Sequence, residues 1–340
     1  DGEQAVSGSF GPANVVFATS DTVVPGLLGG LAGADQLCQT RAAASGLEGT
    51  YVAWLSNASA DAIDRIQGVR GDARGWVRPD GLEVADTVLS MLTGQMFHPI
   101  SVNEAGTGVG ARAAVTGTEA GGRWSQDSCG DWNDPMAQGT LGSTVVVGSL
   151  FTRGALFTCD GVLEGSLLCF GTDRAVRVEP RRSTGRLAFV SRGLFSSGGG
   201  VAAADALCQS EAAAAGLGGS FLAEMALADT LPEARFDLNG PPWVRPDGVL
   251  VADTAAAYFH DEFIRSPPTV TVQGEYRPEI YAWYGQDRLG QTTADSTCAN
   301  WASTTGTSGV LAFANSTAQL AVVVVGEPCV NPHPVICLEN

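Results

Sequence analysis

The residues best suited to chemistry in this chain are eight cysteines, which fall into two sets of four. The sets have the same order and nearly the same spacing: Cys38, Cys129, Cys159 and Cys169, then Cys208, Cys298, Cys329 and Cys337. An even number of cysteines at repeated spacing is typical of a disulfide framework in a secreted protein. Zinc is the competing interpretation, but the sequence has no Cys-x-x-Cys pair and only three histidines. We therefore predict disulfides and an oxidising compartment.

A short acidic stretch could hold a cation. Its candidate ligands are Asp127, Asp131, Asn133 and Asp134. Calcium takes about six to eight oxygen ligands, several of them from carboxylates, so these residue types suit it. The second half of the chain has Trp301-Ala302-Ser303 where the first has Trp132-Asn133-Asp134, so the ligands are not duplicated. We predict no resident cofactor and keep calcium as the alternative.

One phrase occurs twice almost unchanged, as WVRPDGLEVADT at 76–87 and WVRPDGVLVADT at 243–254. Pro-Asp-Gly predicts a turn, because proline fixes φ and glycine accepts a positive φ. The alternating apolar residues beyond it predict a half-buried strand. A structural turn is one explanation of the near-identity, and a ligand site is the other. The binding residues would then be Trp76, Arg78, Asp80, Trp243, Arg245 and Asp247.

No catalytic constellation is recognisable in the sequence. GxSxG, HExxH and P-loop patterns are absent, lysine is missing, and the cysteines are all assigned to disulfides. Carboxylates are plentiful, but no pair stands out at duplicated positions as a glycosidase pair. We therefore predict that the protein is not an enzyme.

The charge balance limits the classes of partner. The formal net charge is −17, and all 19 basic residues are arginine. This argues against nucleic acid and anionic membranes, which attract basic surfaces. No apolar run approaches the roughly 18 residues of a membrane helix, so we predict no membrane insertion. Arginines are concentrated at 174–186, which we interpret as a solvated linker or, alternatively, as a strip that docks an acidic partner.

The cysteines belong to a tandem duplication whose clearest copies are 29–56 and 198–226. Each copy predicts an alanine-rich helix that ends at Gly46 or Gly216, followed by a short apolar strand. Asp35 and Asp205 are expected in the first helical turn, where a carboxylate suits the helix dipole. The predicted organisation is an N-terminal arm (1–13), domain 1 (14–173), a linker (174–186) and domain 2 (187–340).

Three features together resemble the endostatin domain of collagens XV and XVIII, a divergent member of the C-type-lectin-like fold. They are GADQLCQTRAAASGLEGTYVAWLS at 33–56, the Cys-x-x-Trp element at 129–132, and the closing ICLEN at 336–340. The resemblance implies two α+β domains, each with a mixed, mainly antiparallel sheet and adjacent first and last strands. It also implies nested disulfides, which join the first cysteine of each set to the last and the middle two to each other.

Endostatin's zinc-binding histidines and basic heparin surface have no counterpart here. The Trp132-Asn133-Asp134 tripeptide matches one that supplies ligands in calcium-dependent lectins, but it lies 25 residues before Cys159 rather than beside it. From the resemblance we expect a secreted or cell-surface, non-catalytic protein that binds a glycan or an extracellular protein through its loops. The alternatives are a structural subunit of an extracellular assembly, such as a surface layer or filament formed by copies of this chain, and a calcium-dependent lectin.

Overall fold

The computed structural model describes residues 13–69, 71–162, 165–277, 281–287, 290–305, 308–318 and 323–340, with the backbone alone for 323–325. The chain divides into two compact units. Among the described residues the first unit contains the chain up to Leu92, Pro99–Val145 and Ser149–Glu179, and the second contains Thr93–His98, Val146–Gly148 and Pro180–Asn340. The predicted arm, 1–13, lies outside the described residues except for Ala13.

The first unit is an α+β structure with one mixed sheet. Its strands are β1 (Asn14–Ala18), β2 (Tyr51–Ala53), β3 (Trp76–Val77), β4 (Glu83–Ala85), β5 (Ala113–Val115), β6 (Gln138–Ser143), β7 (Ala155–Thr158) and β8 (Gly165–Gly171). Its helices are α1 (Gly30–Ala44), α2 (Ala62–Arg65), α3 (Val88–Leu92) and α4 (Cys129–Trp132), with 3-10 turns at Pro25–Leu27 and Ser149–Phe151. The strand order is β4-β3-β1-β8-β5-β6-β7, and β2 also pairs with β8. The fully buried β8 is therefore the centre of this unit.

The second unit repeats most of these elements in two separate sheets, but the strand predicted after its WVRPDG turn, the counterpart of β4, is not formed among the described residues that follow the turn. Its strands are β9 (Arg186–Val190), β10 (Phe221–Ala223), β11 (Trp243–Val244), β12 (Tyr281–Trp283), β13 (Ser308–Phe313), β14 (Val323–Pro328) and β15 (Ile336–Glu339). Its helices are α5 (Gly200–Ala214), α6 (Ala255–His260) and α7 (Cys298–Trp301), with a 3-10 turn at Pro232–Arg235. The sheet orders are β10-β15-β9-β11 and β12-β13-β14. In each unit the first strand pairs antiparallel with the last, β1 with β8 and β9 with β15.

The two long helices pack through small side chains. In α1 the buried positions are Ala34, Cys38 and Ala42, which recur every four residues and so share one face. This face packs in the core beside Phe17 and Tyr51. Both helices end before the predicted glycines, and Gly46 has a φ of 71° in the left-handed region that glycine tolerates.

The predicted position of Asp35 and Asp205 in the first helical turn is wrong. The helices begin at Gly30 and Gly200, so both carboxylates lie beyond the first turn, which contains no acidic residue. Asp35 instead pairs with Arg65, whose Nη2 lies 2.7 Å from Oδ2, and accepts a hydrogen bond from the Ala53 amide at 2.9 Å. Asp205 makes the corresponding contacts in the second unit. Each carboxylate thus ties the long helix to the strand that follows it.

Four disulfides fasten the two units, and the nested pairing is confirmed. The bonds are Cys38–Cys169, Cys129–Cys159, Cys208–Cys337 and Cys298–Cys329. The first and third join α1 to β8 and α5 to β15. The described residues contain no unpaired cysteine, which fits an oxidising compartment. None of the helices in the described ranges has the length and apolarity to cross a membrane.

The predicted linker, 174–186, is not a solvated segment throughout. Arg174 donates from Nη1 to the Ala13 carbonyl at 2.9 Å in the first unit. Arg186 begins β9, is 9% exposed, and its guanidinium lies 4.1 Å from the centre of the Trp243 ring. These two arginines are therefore structural, whereas Arg177 is exposed.

The segments α4 and α7 are single left-handed turns. Every residue of Cys129–Trp132 has a positive φ, from 51° to 67°, and Cys298–Trp301 ranges from 49° to 63°. Left-handed helix costs about 1–2 kcal/mol for each residue with a Cβ atom. Contacts on both sides hold the turns: the disulfides anchor their first residues, and Trp132 Nε1 donates to the Ser56 carbonyl at 3.0 Å. The turns thus direct a cysteine and a tryptophan into the core.

The second residue is alanine in one turn and glycine in the other, and we predict that replacing each by the other residue type has opposite effects on stability. Ala299 has a φ of 53°, so Ala299→Gly should stabilise the second unit by about 1 kcal/mol. Gly130 has a φ of 57°, and an added Cβ would lie 2.7 Å from the Asp134 Cβ, so Gly130→Ala should destabilise the first unit by about 1–2 kcal/mol. Urea unfolding of both variants measures this, and shifts of the same sign would contradict the left-handed geometry.

Candidate functional site

A cavity of about 50 Å³ lies within the second unit, beside β10, β12, β13 and β15. Its lining includes Glu224, Tyr258, Trp283, Tyr284, Phe313 and Ser316. A buried water needs about 10–15 Å³ of such space, so the cavity has room for about three to five non-hydrogen atoms. The side chains around it are aromatic, aliphatic and small, with one carboxyl group among the described lining residues.

The carboxyl group of Glu224 is the chemical centre of this cavity. Glu224 directly follows β10, its amide donates to the Ile336 carbonyl at 2.8 Å, and the residue is 4% exposed. Its Oε2 accepts a hydrogen bond of 2.6 Å from the Tyr258 hydroxyl. Burial raises the pKa of Glu224 to about 8, although the Tyr258 hydrogen bond opposes the shift. The carboxyl is therefore mostly protonated and neutral at pH 7.

The two tyrosines beside Glu224 are neutral as well. Burial is the largest cause that raises the pKa of Tyr258, and the nearby Glu224 charge raises it further. Burial also raises the pKa of Tyr284, with smaller contributions from Glu224 and Glu233. Glu233 lies 2.9 Å from His260 Nε2 and is thus engaged in a pair of its own. The cavity therefore presents neutral hydrogen-bonding groups and aromatic rings.

In the first unit a tryptophan occupies the position that corresponds to Glu224. Trp54 follows β2, and its amide donates to the Leu168 carbonyl at 2.8 Å, which is the hydrogen bond that Glu224 makes to Ile336. The Trp54 ring is fully buried, 5.4 Å from the ring of Phe151 and 5.5 Å from that of Phe170. The same backbone position therefore carries an aromatic core in one unit and a buried carboxyl group in the other.

The tryptophans of the repeated WVRPDG phrase are core residues. Trp76 and Trp243 are fully buried. Trp76 Nε1 donates to the Gly171 carbonyl at 2.9 Å, and Trp243 Nε1 donates to the Glu339 carbonyl at 2.8 Å. Each ring thus fastens the hairpin to the closing strand of its unit, and its burial favours a structural role over the predicted role in binding.

In each phrase the arginine and the aspartate form an ion pair within the predicted turn. Arg78 pairs with Asp80, and Arg78 Nη1 donates to Ser101 Oγ at 2.9 Å. In the second unit Arg245 is fully buried, and its Nε donates to Asp247 Oδ1 at 3.1 Å. Burial alone would raise the pKa of Asp247, but the Arg245 guanidinium and several hydrogen bonds outweigh it and lower that pKa. All four side chains are engaged within the protein, as a structural turn requires.

The predicted calcium ligands surround the left-handed turn α4 and are used locally. Asp131 Oδ1 accepts from the Ala58 amide at 3.3 Å, Asp134 Oδ1 accepts from the Met136 amide at 2.8 Å, and Asn133 Nδ2 donates to the Asp131 carbonyl at 2.8 Å. In the described part of the chain no three His, Cys, Asp or Glu side chains are grouped so that they could hold a metal ion. The geometry therefore gives no support to calcium binding by Asp127 and these residues.

No protein family and no curated protein matches this chain. The functional argument depends instead on the difference between the two units. Sequence reasoning missed Glu224, although a signal was present: the strand phrase reads FLAEMA at 221–226, where the first copy reads YVAWLS at 51–56. A carboxyl group in a buried segment, between Ala223 and Met225, is typical of a functional site.

Glu224 should make stability depend on pH. Its pKa is about 8 in the folded protein against an ordinary 4.5, so its stabilising contribution is complete below 4.5 and disappears as the pH rises through 8. Across this range we expect wild type to lose unfolding free energy relative to Glu224→Gln, on the order of 4 kcal/mol in total. Urea unfolding at several pH values measures the difference.

The control for this experiment is Glu48→Gln, which removes the same charge at an exposed position. Its unfolding free energy should follow that of wild type at every pH. A Glu224→Gln profile parallel to wild type would contradict the raised pKa.

Proposed function

We propose that this chain is a non-catalytic, extracellular or cell-surface binding protein that recognises a glycan or a protein. Its two units would be tandem C-type-lectin-like domains of the endostatin type. The observation that carries the proposal is the cavity around Glu224, which exists where the first unit has Trp54. Since the fold accommodates tryptophan at this position, the carboxyl group is not needed to complete the core, and a role in binding accounts for it.

The architecture supports the domain assignment within this proposal. In each unit the first and last strands are adjacent, the long helix is bonded to the last strand, and the pairing of cysteines is nested. All three features are expected of endostatin-like domains. The low density of basic residues and the net charge of −17 favour neutral or cationic ligands over polyanions.

A screen for ligands tests the binding function. Wild-type protein and Glu224→Trp, which copies Trp54 of the first unit, are applied to glycan and extracellular-protein arrays. We expect a ligand that wild type binds and that Glu224→Trp binds at least about tenfold more weakly, because the indole fills the cavity.

Glu48→Trp is the matched control, since it places the same ring on the surface of the first unit. It should bind like wild type, and unfolding midpoints show that both variants are folded. Equal binding by Glu224→Trp, or no ligand on either array, would contradict the proposal.

A second candidate function, a subunit of an extracellular homopolymer, is favoured by exposed apolar side chains in the first unit. Leu27, Met136 and Val162 are 70%, 81% and 86% exposed. They lie on the Pro25–Leu27 turn and on two loops beside the Cys129–Cys159 disulfide, where the Gly26 amide donates to the Cys159 carbonyl at 3.1 Å. Apolar side chains grouped in this way are typical of surfaces that associate.

Sedimentation velocity tests this second function. A polymer subunit should form large species as concentration rises, and Met136→Gln should reduce them because it places a polar amide in the apolar contact. Leu89→Gln is the control, since Leu89 is also an exposed leucine, at 66%, but belongs to α3. A compact monomer at all concentrations would exclude the polymer.

A further inference from the structure

Glu224 is a buried acid without a basic partner in its cavity. None of the described lining residues is arginine or histidine, and the chain has no lysine. Burial raises its pKa, and the Tyr258 hydrogen bond only partly opposes that shift. Buried carboxylates are normally paired with a cation because an unpaired buried charge is costly. Among the described residues of this unit Glu224 has no cationic partner, and protonation neutralises the group instead.

The rest of the cavity suits a positive charge. Tyr258 and Tyr284 line it close to Glu224, and aromatic rings have electron-rich faces. A cation within about 6 Å of such a face is attracted by the ring quadrupole, more strongly where water is excluded. A carboxyl group with aromatic rings around it is therefore a complementary environment for an ammonium ion.

We propose that the cavity of the second unit binds a primary ammonium group, which pairs with the carboxylate of Glu224 and contacts the surrounding aromatic rings. The inference rests on the proposed binding function and names the chemistry of its ligand. The cavity of about 50 Å³ accommodates the nitrogen and the last two to four carbons of an alkylammonium chain. The remainder of the ligand would lie outside it.

The binding step releases a proton. The neutral Glu224 carboxyl and R–NH₃⁺ combine to give the ion pair of carboxylate and ammonium, and the carboxyl proton passes to solvent. The titratable groups that face Glu224 do not absorb it: Tyr258 and Tyr284 already carry their protons, and their pKa values are raised well above 10. Glu233, which influences the neighbouring Tyr284, is paired with His260. Binding should therefore strengthen as the pH rises.

The ammonium group could belong to a free amine or to a lysine side chain of another protein, and two ligands distinguish these sources. Isothermal titration of the full chain uses propylammonium and Nα-acetyl-lysine methylamide, with propan-1-ol as the neutral match to the first. We expect both cations to bind, with an apparent affinity about tenfold higher near pH 9 than near pH 7, because at pH 9 most Glu224 has already lost its proton. Tighter binding of the lysine compound assigns the ammonium to a protein side chain, and tighter binding of propylammonium assigns it to a free amine.

Two variants locate the binding. Glu224→Gln keeps the shape of the side chain and should weaken both cations by at least about tenfold, whereas Glu48→Gln should leave them unchanged. Propan-1-ol bound as tightly as propylammonium, or cation binding that Glu224→Gln retains, would overturn the inference. If neither cation binds while an array ligand is lost in Glu224→Trp, the inference fails and the binding function stands. If the arrays also yield nothing, both fail.

Discussion

The covalent bond between the long helix and the closing strand is the constraint on which each unit depends. Cys38–Cys169 and Cys208–Cys337 span 131 and 129 residues, so each closes nearly a whole unit into one loop. A disulfide that closes a loop of this length stabilises the folded unit by on the order of 4 kcal/mol, because it lowers the conformational entropy of the unfolded chain. The closing strand also pairs with the first strand, so both ends of the unit are fixed together. The Asp35–Arg65 and Asp205–Arg235 pairs add a polar tie between the same helix and the next strand.

Because both a disulfide and strand pairing hold the closing strand in place, single positions can differ between the units without loss of the fold. Trp54 and Glu224 make the same backbone hydrogen bond to the closing strand, yet one completes an aromatic core and the other lines a cavity. The carboxyl group destabilises the second unit when it is ionised, since none of the described residues that line the cavity carries a positive charge. Function explains such a cost better than folding does, because the first unit shows that the fold is stable with an apolar residue there.

Much of the frame could be predicted from the sequence, because the duplication repeats each signal. The alanine-rich helices and their terminal glycines are where the duplication predicts them, and the pairing of the eight cysteines is the one that the resemblance to endostatin implies. The position of Asp35 in the helix was predicted wrongly because the helix begins earlier than expected, at Gly30. Gly30 has a positive φ, and nothing in the hydrophobic pattern marks it as the start of a helix. The left-handed turns were not predicted either, since Cys298, Ala299 and Trp301 disfavour that conformation and are held in it by tertiary contacts.

The site was harder to predict than the frame for a physical reason. Similarity between the copies identifies what the fold requires, and Trp76, Arg78, Trp243 and Arg245 proved to be buried residues of that kind. Glu224 is informative through its difference from Trp54, and its environment depends on residues far apart in the chain, such as Tyr258 and Ile336. Spacing along the sequence could not bring these together.

The central claim is that Glu224 is a buried carboxyl group held neutral at physiological pH. The most direct measurement is an NMR titration of ¹³C-labelled glutamate carboxyl groups, in which the Glu224 signal is assigned by its absence from Glu224→Gln. We predict a midpoint near pH 8, which is the pKa that burial gives the group. A midpoint near 4.5 would show that the carboxyl is solvated and would contradict the account.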